Sequence, residues 1–221
     1  MRRAPGASKP PILRGKDIKR YGYQWAGKWL IATHNGVRGK FPRIRIEDYP
    51  AVKAHLDQYW DKLCARADQG DTPYNLRNCA YWEDFDKPKV MWKIIGCNIN
   101  FSFDDSGMIC NNAINIMTGE RSQMIQFVGL MNSKLFDWYL KLTTEAEVQG
   151  GGIQLYVTTL EKTPLKLDFP VDLTHQIELR INNKVLDDSV DDKVFDVYGL
   201  NQQEREFVLS CRQVNRGNRE S

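Results

Sequence analysis

What this sequence lacks narrows it first. No run of eighteen apolar residues occurs anywhere in its 221 residues, so no membrane-spanning helix and no membrane partner is expected. The start, MRRAPGASKPP, is basic but has no apolar stretch behind it, and a secretory signal is not expected either. Cysteine is scarce and scattered: Cys64, Cys79, Cys97, Cys110 and Cys211 form an odd set without a CxxC pair, which argues against a disulfide framework or a zinc site. The three histidines, His34, His55 and His175, have no metal-ligand spacing. These absences fit a cytoplasmic globular chain. Fingerprints of nucleotide and acyl-transfer chemistry are missing as well, with no GxGxxG, no P-loop and no GxSxG. Gly150-Gly151-Gly152 has no lysine after it to take a phosphate.

Acid is nearly absent from the first 45 residues. They hold twelve Lys or Arg against one carboxylate, Asp17, while the remaining residues hold 19 basic and 27 acidic side chains. A concentrated positive potential attracts polyanions and releases their counterions, so nucleic acid is the leading partner. An acidic neighbouring protein domain follows; an acidic membrane surface shares that chemistry but is not the expected partner. The stretch LRGKDIKRYGYQW places Arg14, Lys16, Lys19 and Arg20 beside Tyr21, Tyr23 and Trp25. Cations neutralise phosphates and aromatic rings can stack on bases, but the same rings also serve as core anchors with solvated charges between them.

Along the chain, residues 1–11 carry Pro5, Gly6, Ser8, Pro10 and Pro11 and read as a linker or a cloning remnant. KWLIATH (28–34) suits a buried strand ended by the turn pair Asn35-Gly36. Asp48 is placed to cap a helix with Pro50 in its first turn, and Val52, Leu56, Trp60 and Leu63 recur at helical spacing to about Arg66. DQGDTPYNLRNC (68–79) is too poor in apolar residues to be core. PKVMWKII, NINFSFD and MICNNAINIMT, separated by Gly96 and by Asp105-Ser106-Gly107, predict a sheet built partly from hairpins. The spacing of Ile125, Val128, Met131, Leu135, Trp138 and Leu142 predicts one helix of about five turns. From Pro170 the pattern is helical: a segment through Leu186, a helix stopped at Gly199, and a last helix from the capping-box pair Asn201 and Glu204 to about Ser210.

Two catalytic leads are weak on their own chemistry. Glu83, Asp84 and Asp86 with Lys87 could hold Mg²⁺ for a DNA nuclease, but such a site needs a second carboxylate and lysine on a neighbouring strand. Glu161-Lys162 is a poor match because adjacent residues of a strand project to opposite faces. The other reading of the acids is a solvated turn before Pro88. The histidines read as structural or surface residues, except that His34, ending a strand beside the basic run, could reach a base edge or a phosphate.

LRGKDIKRYGYQW, followed by KWLIATHNG, RIRIEDYPAVKAHLDQYWDKLCAR, DTPYNLRNCAYWEDFDKPKVMW, DDSGMICNNAINIMTG, LMNSKLFDWYL and DDKVFDVYGLNQQE, resembles the TaqI-like C-terminal specificity domain over about residues 12 to 210. That domain is the target-recognition part of adenine-specific DNA methyltransferases and of type IIG restriction-modification enzymes. The resemblance implies a bacterial module that reads a short sequence in double-stranded DNA. A methyltransferase domain of the same parent polypeptide would flip out an adenine and methylate its N6 with S-adenosylmethionine. Such a domain carries an Asn-Pro-Pro-Tyr type motif, and Thr72-Pro73-Tyr74-Asn75 is the nearest string here. No catalysis and no cofactor is therefore expected of this chain alone. S-adenosylmethionine, and Mg²⁺ if the parent also cleaves, would belong to the parent enzyme.

By the same resemblance, Arg14, Lys16, Lys19 and Arg20 are candidates for backbone contacts or for contacts to the methyltransferase domain. The loops around Thr33 to Lys40, Leu76 to Tyr81, Cys110 to Asn112 and Gly150 to Gln154 would face the duplex. Within or beside them stand His34, Asn35, Arg38, Lys40, Arg43, Arg77, Asn78, Tyr81, Asn111, Asn112 and Gln154. Arginine pairs bidentately with guanine and asparagine with adenine, although Asn111 and Asn112 suit turn hydrogen bonding equally well. The expected fold is α+β, a mixed and partly antiparallel sheet flanked by helices with a small C-terminal helical segment. The expected boundaries are 12–169 for the recognition domain, 170–211 for the helical segment and 212–221 for a disordered tail. The alternatives are a metal-dependent nuclease domain and a basic protein-interaction module.

Overall fold

The computed structural model describes residues 9–96, 100–143, 147–148, 152–182 and 189–217. Most of the predicted N-terminal linker, Cys97, Gly150 and Gly151, Leu186, and the last residues of the predicted tail lie outside the described residues. The chain divides into two compact units, one formed by residues up to Ile12 with Gly27–Asp86, the other by Leu13–Ala26 with Lys87 onward. A two-residue strand, Ile12–Leu13 (β1), lies where the chain first passes from one to the other.

In the first unit, KWLIATH does not form the expected strand. Trp29 makes a single bridge to Pro11, with Leu30 N–H donating to the Pro10 carbonyl and Ile12 N–H to the Lys28 carbonyl. Pro10 has no N–H to return to the Leu30 carbonyl, so the ladder cannot grow on that side. The turn at Asn35-Gly36 is where the sequence puts it. Gly36 has φ of +76° and a Cβ there would lie 2.5 Å from the Arg43 nitrogen, so only glycine fits. Asp48 does not cap the next helix. It closes a short 3₁₀ turn, Ile46–Asp48, and the helix follows in two pieces, Pro50–Asp57 (α1) and Trp60–Cys64 (α2). Tyr74 holds both sides of the break: its hydroxyl donates to Asp57 Oδ1 at 2.5 Å and its ring lies 5.1 Å from Trp60.

The segment 68–79 turns out to supply part of this unit's interior through a polar residue. Asn75 is 2% exposed; its Nδ2 donates to the Ile44 carbonyl at 2.9 Å and its Oδ1 accepts from Thr72 Oγ1 at 2.7 Å. Leu76 N–H donates to the Thr33 carbonyl, and Thr33 Oγ1 to the Tyr74 carbonyl. Fully bonded polar groups can be buried, which apolar content alone does not reveal.

The second unit is built on a three-stranded antiparallel sheet. Lys89–Lys93 (β2) is central; after the short strand Ile95–Gly96 (β3) come its two neighbours, Phe101–Asp104 (β4) and, beyond Ile109–Cys110 (β5), Ile114–Thr118 (β6). Alternation sorts the faces: Val90, Trp92, Phe101 and Phe103 join the main core, while Met91 and Ile114 join a smaller cluster with Leu13, Ile18 and Met108. The stretch LRGKDIKRYGYQW therefore covers the back of the sheet through Leu13 and Ile18. Tyr21, in the left-handed region at φ of 70°, bonds Phe101 and Phe103 along the edge of β4. Glu147–Val148 (β7) and Gly152–Gln154 (β8) form a second small sheet with β3.

The predicted five-turn helix is two, Arg121–Met131 (α3) and Lys134–Thr143 (α4). Asn132 leaves the helix to bond both backbone groups of Phe101, and Ser133 Oγ accepts from Phe136 N–H. Asp191 Oδ1 accepts the Lys134 N–H at 2.7 Å. Apolar spacing runs through this break because both helices bury the same face, and the capping groups decide the interruption. After β8 the chain forms Val157–Glu161 (α5), so Glu161 ends a helix rather than lying on a strand.

Val171–Ile181 (α6), Ser189–Tyr198 (α7) and Gln202–Gly217 (α8) follow. Gly199, at φ of 71°, ends α7 with Leu200 N–H on the Phe195 carbonyl and Gly199 N–H on the Asp196 carbonyl, a Schellman closure. The capping box is present: Asn201 Oδ1 accepts Glu204 N–H and Glu204 Oε2 accepts Asn201 N–H. α8 runs past the predicted end at Ser210, since Arg212 and Gln213 are as favourable in a helix as the residues before them. The fold is α+β, as the sequence predicts.

Candidate nucleic-acid interface

In the first unit a small hairpin presents the basic run. Val37 and Phe41 pair across the turn Arg38–Lys40, in which Gly39 takes φ of 77°. Its base rests on His34, whose ring is 4.9 Å from Phe41 and 6.0 Å from Trp82 and whose Nδ1 accepts the Gly36 N–H. Burial lowers the His34 pKa, favouring the neutral ring, and at 8% exposure it supports the hairpin from within.

Asn35 ties this hairpin to the segment 68–78. Its Nδ2 donates to Asp71 Oδ1 at 2.9 Å and to Asn78 Oδ1 at 2.6 Å, and its Oδ1 accepts the Asp71 N–H. Asn35 thus uses both donors of its side-chain amide internally. Asn78 is fixed by that bond with its amide nitrogen left for another partner. Gly70 makes the close approach possible, since a Cβ there would lie 2.6 Å from Asn35 Oδ1. Around this junction Arg43 meets Asp71 at 3.1 Å, Lys40 meets Glu83 at 2.6 Å and Arg77 meets Asp68 at 3.2 Å. Arg38, at the tip, is exposed. Tyr81 is 56% exposed, with its ring 6.0 Å from Phe85. His34, Asn35, Arg38, Lys40, Arg43, Arg77, Asn78 and Tyr81 therefore all belong to one unit, and the first seven are joined by its hairpin and turn contacts.

The remaining candidates lie in the second unit. Arg14 is committed to Asp17, with Nε and a terminal nitrogen on the two carboxylate oxygens at 3.0 and 2.9 Å. The Arg14 hydrogen bonds hold the Asp17 carboxyl below the usual carboxylate range despite its burial. Arg20 donates twice to the Asn132 carbonyl, at 3.2 and 2.7 Å, and lies 4.0 Å from Asp191. Lys16, Lys19 and Arg20 are the exposed cations of the stretch, and of these Arg20 is tied to the Asn132 carbonyl. Asn111 makes turn bonds, its Oδ1 accepting the Ala113 N–H and its own N–H donating to the Leu13 carbonyl; Asn112 is exposed. Gln154 pairs with Ile95 in the second sheet.

The acids proposed for a nuclease do not converge. They lie on one 3₁₀ turn, Trp82–Asp86, Glu83 is paired with Lys40, and among the described residues no three His, Cys, Asp or Glu side chains are grouped to hold a metal. No helix among the described residues is long and apolar enough to cross a membrane.

In the first unit the arrangement is a scaffold that presents cations and amides, three of the cations paired with acids. A family model, the TaqI-like C-terminal specificity domain, matches residues 10–165, well over half of the chain. The chain belongs to that family, whose members are DNA-recognition modules of methyltransferase-type proteins. The match ends ahead of α6, α7 and α8, short of the 210 reached by the sequence resemblance. What sequence reasoning missed is the pairing of the cations with acids: it does not single out Asp68 and Asp71, and it reads Glu83 as a possible metal ligand rather than as the partner of Lys40. Asp68 and Asp71 stand in a turn-rich segment, a signal for side-chain bonding, but spacing does not say which cation each would meet.

Proposed function

We propose that this chain is the target-reading module of an adenine-N6 DNA methyltransferase from a bacterial restriction-modification system of the type IIG kind. It binds double-stranded DNA and performs no chemistry. A methyltransferase domain of the same parent polypeptide binds S-adenosylmethionine and carries out the transfer, and any Mg²⁺-dependent cleavage also belongs outside this chain. The observation that carries the reading is the hairpin patch: Arg38 at an exposed tip, Asn78 exposed and held through its Oδ1 by Asn35, and Lys40, Arg43 and Arg77 around them. Guanidinium and amide groups match base edges in the major groove, while the surrounding cations match phosphates. In the second unit, taken by itself, Lys16 and Lys19 are the candidates for phosphate contact.

Gel retardation of duplex DNA at about 50 and 200 mM salt tests this, because phosphate contacts make affinity fall steeply with ionic strength. The expected result is a shifted duplex at low salt, released at high salt, with Arg38→Ala weakening the complex. A protein that shifts no duplex at low salt overturns the proposal.

A further inference from the structure

The hairpin patch is not uniformly positive. Lys40, Arg43 and Arg77 each face an exposed carboxylate, from Glu83, Asp71 and Asp68 respectively. Among the described residues no carboxylate lies within ion-pair distance of Arg38. A surface selected only to hold phosphate gains nothing from these acids, since each cancels charge where a phosphate would sit. Fold stability accounts for little of the ion pairing itself, because an exposed ion pair contributes only about 0–1 kcal/mol; Asp71 alone of the three also accepts a hydrogen bond from Asn35.

We propose that Asp68, Asp71 and Glu83 are specificity-determining residues that suppress sequence-independent binding to DNA, leaving Arg38 as the patch's cation of full charge for reading a base edge. The inference rests on the DNA-reading function proposed above and refines it. On a random duplex a phosphate reaches Lys40, Arg43 or Arg77 only by displacing a carboxylate, which then stays nearby and repels it. The non-specific term, which is almost wholly electrostatic, is thereby lowered. On a matching site the hydrogen bonds from Arg38 and Asn78 to base edges offset that cost, so the acids widen the gap between right and wrong sequences.

The test compares two triple variants with the same change of net charge. One is Asp68→Asn with Asp71→Asn and Glu83→Gln. The other, away from these pairs, is Asp57→Asn with Asp137→Asn and Glu206→Gln. Both are made in the full chain, checked for unchanged melting, and titrated with a mixed-sequence duplex across a salt series. The patch variant should bind about tenfold or more tightly at low salt, with the slope of log K against log salt steeper by about 0.9 for each cation released onto a phosphate. The control should move much less. Equal tightening in both variants would show that net charge alone acts, and an unchanged patch variant would show no suppression; either overturns the inference while the wild type still binds DNA. If neither wild type nor variants bind any duplex, the DNA-reading function itself fails.

Discussion

Asp104 and Lys89 face each other across β4 and β2, both fully buried side chains, 2.5 Å apart. Asp104 is also bonded by Tyr23 Oη at 2.8 Å, by Ser106 Oγ and N–H, and by the Met108 N–H. Burial pushes the Asp104 carboxyl up, but the Lys89 charge and hydrogen bond, with Ser106 and Tyr23, outweigh it and hold it below the usual carboxylate range. Burial likewise pushes the Tyr23 hydroxyl up to about 12, so it stays a donor. Replacing one partner of a buried pair strands the other charge, and Asp104→Asn is expected to cost about 3–5 kcal/mol in chemical denaturation. The pH dependence has a definite sign. A carboxyl with a lowered folded pKa contributes stability that is complete above its unfolded value and is lost as pH falls through the folded one. Unfolding free energy of the wild type should therefore drop below about pH 4, and Asp104→Asn should drop less steeply over that range. An equally steep drop in the variant would remove Asp104 from the account.

At the scale of elements, the turns and caps follow local chemistry and the strands follow partners. Gly36→Ala should strain a positive φ and drive a Cβ against the Arg43 nitrogen, so the hairpin should lose its register. The expected outcome is a loss of about 1–3 kcal/mol in stability together with weakened duplex retardation. Gly39→Ala is the comparison, because its φ is also positive but nothing lies within 4 Å of a Cβ there. The same contrast explains what the sequence discloses. Asn35-Gly36, Gly199 and the Asn201 and Glu204 capping box work through their neighbours in the chain, so they are legible. The sheet β4-β2-β6 is legible from alternation and turns. KWLIATH is not, since its prospects as a strand depend on Pro10, remote in sequence, and the break at Asn132 depends on the backbone of Phe101. The candidate surface divides in the same way: its cations and amides can be picked out by type, whereas Asn75 inside and the acids opposite Lys40, Arg43 and Arg77 depend on tertiary contact.

For the whole molecule, the division into units cuts across chain order. Leu13–Ala26 belongs with Lys87 onward although sixty residues of the other unit, Gly27–Asp86, lie between them. Leu13, Ile18 and Tyr21 are all buried there. A chain begun at Gly27 should therefore lose the covering of the back of the sheet and fail to melt cooperatively in calorimetry. A chain begun at Leu13 should keep the second unit intact and lose only the pairing of Pro10–Ile12 with Lys28–Leu30. A sharp transition in the protein begun at Gly27 would refute this assignment.

That interruption also bears on the order of events during synthesis. Tyr23 meets Asp104 across 81 positions of sequence. As the chain leaves the ribosome, the stretch from Leu13 to Ala26 emerges long before the strands it must cover. It then has to remain available while the intervening unit is made, and closure of that long loop is an entropic toll on the second unit's rate of folding. Until closure, Leu13, Ile18 and Tyr21 are unshielded, which makes the nascent chain most prone to aggregate in the interval before β2 and β4 are complete.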